Sequence, residues 1–483
     1  MSGAESGSAR PREGILCGSG QSGAALLTVL VVLTVLGIAV TILMDRSRGD
    51  IRPWARELEN AQALYAAESG IAFQLYLERF SDSTEPAFGK GAEAEVEAAA
   101  GGNPDPFLGG AKALTDTFSY HLDTLRAVPE VRVDRARAYL DITSKGRYRN
   151  AEATVTARFG KALDDSVFGP ALTLDNAEPL ESISANQVIG AIRMRTPSPG
   201  IPNAPWPQGF TTSAYTAAFS DKRYGALESA LQKKLGEQGG EGGNGNFTRT
   251  DPPVFAKGGD LFFPLGRVEL VNHDDEPWVL KGPGRILCDG EIRLKGLIRL
   301  ENIQLLSGKD ITFEDSVTGD GISAFARGSI YFHNRCNLGI EAVAGKDIVL
   351  RDRCQTHLGS VLLSVGNRHL TKGADTVNAI RIVNEAVARG FLIAGGANGR
   401  VALATQANIV EGVVIAAAVW LSGEVRGPVL TSKLLCEGTN KRNCLGTGRI
   451  NRNLLPANFV QPLELGPQDR RLYVFKLMEW KRT

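Results

Sequence analysis

The residues able to do chemistry are few and scattered. Six cysteines and five histidines occur among 483 residues, no two cysteines form a CxxC pair, and none stands beside clustered histidines at zinc spacing. Neither a structural metal nor a cofactor is therefore expected. Cys336 and Cys354 end two segments of similar pattern and read as small apolar core residues. Cys436 and Cys444 flank the polar loop EGTNKRN, a spacing that a disulfide closes if this part of the chain lies outside the cytoplasm. General acid–base work could fall to Glu314, Asp315 and Asp352, or to the run His273, Asp274, Asp275, Glu276, although such charges decorate any solvated face. No GxSxG, no Walker loop and no GxGxxG in a strand-turn-helix context is present, so nothing supports nucleotide or hydrolase chemistry.

The elements that would position these residues are easier to read. The net charge is +1, which excludes a global basic field and with it nucleic acid as an expected partner. From Ala24 to Met44 there are 21 residues without a charge. As a helix they cover about 32 Å, enough to cross a bilayer core. Asp45, Arg46, Ser47 and Arg48 follow at once, in place of the small-residue site of a cleaved secretory signal. One span is expected, with almost all of the chain on its C-terminal side. Arg10 and Arg12 precede it, whereas Arg46, Arg48, Arg52 and Arg56 follow, so the basic count alone places the large domain in the cytoplasm. Beyond the span, Trp54, Leu58, Ala61, Leu64, Tyr65, Ala67, Ile71, Leu75 and Leu77 recur near helical spacing, with Pro53 expected to interrupt or kink the helix.

Residues 81–110 turn to Gly, Ala, Glu and Pro and read as a mobile insertion. Val131 to Phe159 alternates, and Ser144-Lys145-Gly146 is expected as the turn of a hairpin. Two linker-like stretches, 197–208 and 236–246, bracket an expected helix from Tyr224 to Leu235.

A repeat then sets the architecture of the second half. IRLKGLI (292–298), ITFEDSV (311–317), IYFHNRC (330–336) and IVLRDRC (348–354) align without gaps, and their starts are 19, 19 and 18 residues apart. Each is apolar at its first, third and last positions, and Gly290, Gly308, Gly328 and Gly345 precede them in step. The frame returns as VALATQA (401–407) and VWLSGEV (419–425). Such a period makes coils whose like residues stack at the strand spacing of about 4.8 Å, a parallel β-helix. Its core ladder is expected to contain Ile292, Ile311, Ile330 and Ile348 in one column and Ile298, Val317, Cys336 and Cys354 in another. Open coil ends expose strand edges, so the helical N-terminal half and the tail from Ile450 are candidate caps.

Two segments resemble known families. GAALLTVLVVLTVLG (23–37) followed by AQALYAAESGI (61–71) resembles the N-terminus of type IV pilin-like proteins, in particular minor pilins of the PilX type. The resemblance implies cleavage by a prepilin peptidase between Gly23 and Ala24, loss of Cys17 with the leader, and pilin or pseudopilin subunits as partners. It overrides the basic count and implies a bacterial inner-membrane protein whose bulk is periplasmic or at the cell surface. Most major pilins carry Glu as the fifth mature residue, and this chain has Thr28. The repeat from Ser307 to Ile322 and its successors resemble bactofilins, which polymerise through triangular β-helices. Sugar lyases of that fold would use Glu314, Asp315 and Asp352, and hexapeptide acyltransferases a histidine such as His333 or His357.

The expected fold is thus mixed α+β. A leader (1–23) precedes a transmembrane and pilin-like helix (24–80), an α+β head with its insertion (81–166) and a linker-rich connecting module (167–260). A parallel β-helix (261–450) and a C-terminal cap (451–483) complete it. The expected role is non-catalytic, assembly or adhesion by a membrane-anchored surface or filament-associated protein. The alternatives are a signal-anchored polymerising scaffold and a polysaccharide-active β-helix enzyme.

Overall fold

The computed structural model describes residues 21–80, 115–119, 128–136, 139–175, 187–197, 202–206, 211–237, 247–249, 260–263, 266–365, 379–395, 399–435, 447–462, 465 and 475–483. The first 20 residues of the expected leader, the expected insertion at 81–110, and Cys436 and Cys444 lie outside the described residues.

Helix α1 (Gln21–Phe80) is a single 60-residue element that Pro53 does not end. Its two halves meet different surroundings. Val29–Arg46 is long and apolar enough to cross a membrane, and no part of it is buried. Further on, Ala63, Ala66, Ala67 and Ile71 are buried, and Ala67 and Ile71 share one cluster with Leu140, Ile142, Val155 and Ala157. Those side chains belong to an antiparallel sheet of β1 (Thr115–Ser119), β2 (Val128–Ala136), β3 (Tyr139–Tyr148) and β4 (Ala151–Lys161). A fifth strand, Phe475–Arg482, pairs with β4. It carries Phe475, Leu477, Met478 and Trp480, so the head is built from segments far apart in the sequence.

The expected turn at Ser144-Lys145-Gly146 is instead the interior of β3, and the chain reverses at Arg149-Asn150, with Arg149 at φ 51°. Gly146 serves a close approach. A Cβ there would lie 2.0 Å from the Ala63 carbonyl oxygen, so glycine under small alanines lets α1 rest on the sheet.

The second half of the chain is a parallel β-solenoid of about ten turns. Val268, Ile292, Ile311, Ile330, Ile348, Ile380, Val401, Val419 and Leu434 are paired rung to rung in one column. Beside it, Leu294, Phe313, Phe332 and Leu350 are also in register, and the two phenylalanine rings stack at 5.1 Å with 9° between their planes. Ile298, Val317, Cys336 and Cys354 form the next inward column, all at most 1% exposed. Fully burying an aliphatic side chain of this size contributes about 1.5–3 kcal/mol, and no single coil could bury its own set alone.

A third side of the solenoid is apolar outside as well as inside. The outward column Leu287, Leu306, Phe325, Val343, Leu363, Ile393, Ile415 and Leu430 is buried in register. Its cover is α2 (Thr212–Glu237), which brings Tyr224, Leu227, Ala230 and Leu231 onto it. At about 1.5 Å per residue, these 26 residues reach about 39 Å, some eight rungs of about 4.8 Å.

Two boundaries shift accordingly. The stretch 167–260, expected as a connecting module, adds strands to the solenoid: Leu172–Leu174 pairs with Val429–Leu434, and Val188–Ile189 with Arg449–Asn451. Ile192–Met194 pairs with Leu172–Leu174 in turn. The chain therefore enters beyond the last repeat, runs back along the side as α2, and winds forward again from Phe247–Arg249. At the end where the cap 451–483 is expected, Leu172–Leu174 and Val188–Ile189 add a further rung beyond Val429–Leu434 and Arg449–Asn451. Phe459 and Leu465 pack into the cluster on the covered side of the solenoid, and the final strand joins the head sheet.

Candidate functional site

The most elaborated surface of the solenoid is a corner where successive rungs turn through two consecutive left-handed residues. The pairs are Asp315 and Ser316 (φ 61° and 74°), Asn334 and Arg335 (58° and 68°), Asp352 and Arg353 (60° and 63°), and Asn384 and Glu385 (54° and 63°). Each such residue costs on the order of 1 kcal/mol when it is not glycine. Short Asp and Asn side chains tolerate this region best, and here they also bond between rungs. Asn334 Nδ2 donates to Asp315 Oδ1 at 2.7 Å, and Asn384 Nδ2 donates to Asp352 Oδ1 at 2.9 Å. Backbone bonds from Ser316, Arg335 and Arg353 to the next rung hold the turns in line at 2.9–3.0 Å. The side chains line an open groove of about 820 Å³ that continues to Thr405 and Ala407.

Asp315 and Asp352 thus share this groove, two rungs or about 10 Å apart with Asn334 between them. Glu314 is not with them. It lies on the neighbouring face, where Arg293 donates to its Oε2 from Nε at 3.0 Å and to Glu269 Oε1 at 3.1 Å. The histidines are separated too. His333 stacks on Tyr331 at 5.8 Å and accepts from Arg351 Nε, and burial followed by the Arg351 charge holds its imidazole below the usual range. His357 Nδ1 is 3.7 Å from Asp320 Oδ1 on another side. Residues 273–276 form an exposed bend in which Asn272 caps Asp274 N at 2.8 Å.

Cys336 and Cys354 occupy adjacent rungs in the core. The contact with Cys354 and then burial push the Cys336 thiol up, and its Sγ donates to the His333 carbonyl at 3.1 Å. No group of three or more His, Cys, Asp and Glu side chains suited to a metal occurs among the described residues. Gly23 and Ala24 fall within α1, near its first turn.

Sequence reasoning missed α2 as a cover and the buried pair beneath it. Arg223 Nε and Nη2 donate to the two carboxylate oxygens of Glu341, both at 2.6 Å. The signal was available in strands such as FLIA (391–394), whose consecutive apolar residues fill both faces.

These features define a chain with an apolar N-terminal helix, an α+β head and a side-covered parallel β-solenoid. No protein-family model matches it, and no curated protein does. Among solved structures it has a likeness to the competence-associated pilin ComZ from Thermus thermophilus, at 12% identity over 88% of this chain and 97% of that chain, with a TM-score of 0.17.

Proposed function

We propose that the protein is a membrane-anchored, pilin-like surface or filament-associated protein that holds out its solenoid as a rigid, non-catalytic surface for assembly or adhesion. One observation carries this reading. The solenoid is left out of β4 and re-enters the head as the strand beside β4, so it is an insertion between neighbouring strands of a sheet packed on α1. The free half of the same helix is apolar and bare, and the sequence from Gly23 to Ile71 resembles pilins. A prepilin peptidase acting between Gly23 and Ala24, pilin or pseudopilin subunits and the membrane are the partners of this reading, in a bacterial inner membrane with the bulk periplasmic or at the surface. The non-catalytic role is supported by the carboxylates of the corner and face, which are bonded to Asn334, Asn384 and Arg293.

The test is the mass of the full chain expressed with and without a prepilin peptidase. Loss of the first 23 residues with the peptidase, abolished by Gly23→Trp, is the expected result; an unchanged mass overturns the pilin reading. A second reading, an intracellular anchored scaffold, is favoured by the four arginines that follow the span against two that precede it. Protease added outside intact cells separates the two, since digestion of the solenoid supports the first and protection supports the second.

A further inference from the structure

Where the head meets the tail of the chain, two side chains with complementary reactivity are enclosed together. Lys161 ends β4, and Gln461 pairs with it in an antiparallel bridge whose Gln461 N–H donates to the Lys161 carbonyl at 2.8 Å. Residues directly opposed in this way project to the same side with Cβ atoms about 5 Å apart. Lys161 is 3% exposed and Gln461 is fully buried. Their side chains converge on one atom: the Leu465 carbonyl accepts from Lys161 Nζ at 2.7 Å and from Gln461 Nε2 at 2.5 Å. The Asp164 backbone N–H donates to Gln461 Oε1 at 3.4 Å.

We propose that Lys161 and Gln461 are the partners of an intramolecular amide crosslink that ties the head sheet to the tail of the chain. The Lys161 amine attacks Gln461 Cδ, the C–Nε2 bond breaks, and Nε2 leaves as ammonia with the proton given up by the amine. Nothing is oxidised or reduced and no other reactant is consumed. The site supplies what the step needs. Burial lowers the Lys161 pKa to about 7, against the opposing pull of Asp164, so a large share of the amine is neutral and nucleophilic near neutral pH. The Asp164 N–H lies where negative charge develops on Oε1, and the Asp164 carboxylate, whose Oδ1 accepts from Ser166 N at 2.9 Å, is a charge that acts on the amine and, in the proposed step, the group that receives its proton. Both carbon and nitrogen are shielded from water, which would otherwise compete as nucleophile. The product joins residues 300 positions apart and closes the strand-to-tail joint through which the inserted solenoid is held.

Peptide mass spectrometry of the purified, folded full chain tests this directly. The expected result is a branched peptide carrying both residues, lighter by one ammonia, about 17 Da, than its two parts together. It should be missing from Lys161→Arg and Gln461→Met proteins, and Asp164→Asn should slow its appearance after refolding by about a hundredfold. The wild-type spectrum decides the matter even where a variant fails to fold. If folded wild-type chain held for days at pH 8 yields the Lys161 and Gln461 peptides only separately, the crosslink does not form and the proposal falls.

Discussion

The two long helices solve opposite problems. α2 presents Tyr224, Leu227 and Leu231 to a solenoid side whose outward column is itself apolar, and both surfaces disappear from water together. The outer half of α1 is apolar around its whole circumference, and no part of Val29–Arg46 is buried. A helix with one apolar stripe is matched by protein; a helix apolar all round needs a solvent that is not water. The same contrast divides the solenoid. Its covered side tolerates Phe325 and Ile393 facing outward, while its open sides carry Arg, Glu, Asp and Asn in rung-to-rung pairs.

Breaking the pair beneath α2 should do the most damage. Arg223→Met leaves the Glu341 carboxylate enclosed without its bidentate partner, and the loss expected is about 3–5 kcal/mol in a chemical denaturation curve. Replacing both, Arg223→Met with Glu341→Leu, should recover most of it, because the pair itself need not outperform apolar packing. A double variant as unstable as the single one would show that the damage came from lost packing around Arg223.

The helices can then be compared position against position. Leu227→Ala, at a site 1% exposed, should cost about 2–4 kcal/mol. Leu36→Ala, at a site 55% exposed, should leave the denaturation midpoint of the detergent-solubilised protein unchanged. Leu36→Arg should instead release the chain from the membrane fraction, since an arginine at mid-span costs about 2.5–3.5 kcal/mol of insertion. Retention of that variant in membranes after a carbonate wash would mean that the apolar half of α1 is not the anchor.

What could be read in advance follows the same division. The tiers were legible because isoleucine returns at 292, 311, 330 and 348 with a glycine ahead of each, and the bilayer-length run was legible because it contains no charge. The helix around Tyr224 was also readable, but its partner was not, since periodicity reveals an apolar stripe without saying what meets it. The placement of Leu172–Leu174, Val188–Ile189 and Ile192–Met194 at the far end of the solenoid had no signal, as strands of two and three residues carry no period. Ser144-Lys145-Gly146 misled because turn chemistry and close helix approach both call for glycine. At the corner, acids were noticed as chemistry, whereas Asp315, Asn334, Asp352 and Asn384 share a backbone requirement that any short Asx residue meets.

The smallest expected effect sharpens the contrast from the open side. Glu411 accepts from Arg389 Nε at 2.7 Å and from Arg426 Nη1 at 2.9 Å. Burial alone would raise its pKa, but the hydrogen bonds and charges of Arg389 and then Arg426 outweigh it and hold the carboxyl below its usual range. A carboxylate whose folded pKa is depressed adds stability that is complete above the unfolded value of about 4.3 and is lost as pH falls through the folded value. Because the side chains remain partly exposed and the pairs are screened, Glu411→Gln should cost about 1 kcal/mol or less at pH 7. The difference between wild type and variant should diminish as pH falls below the unfolded value and through the depressed folded one, and shrink in high salt. A difference that persists unchanged in acid would assign Glu411 a packing role, and the open side would then resemble the covered one more closely than its exposure suggests.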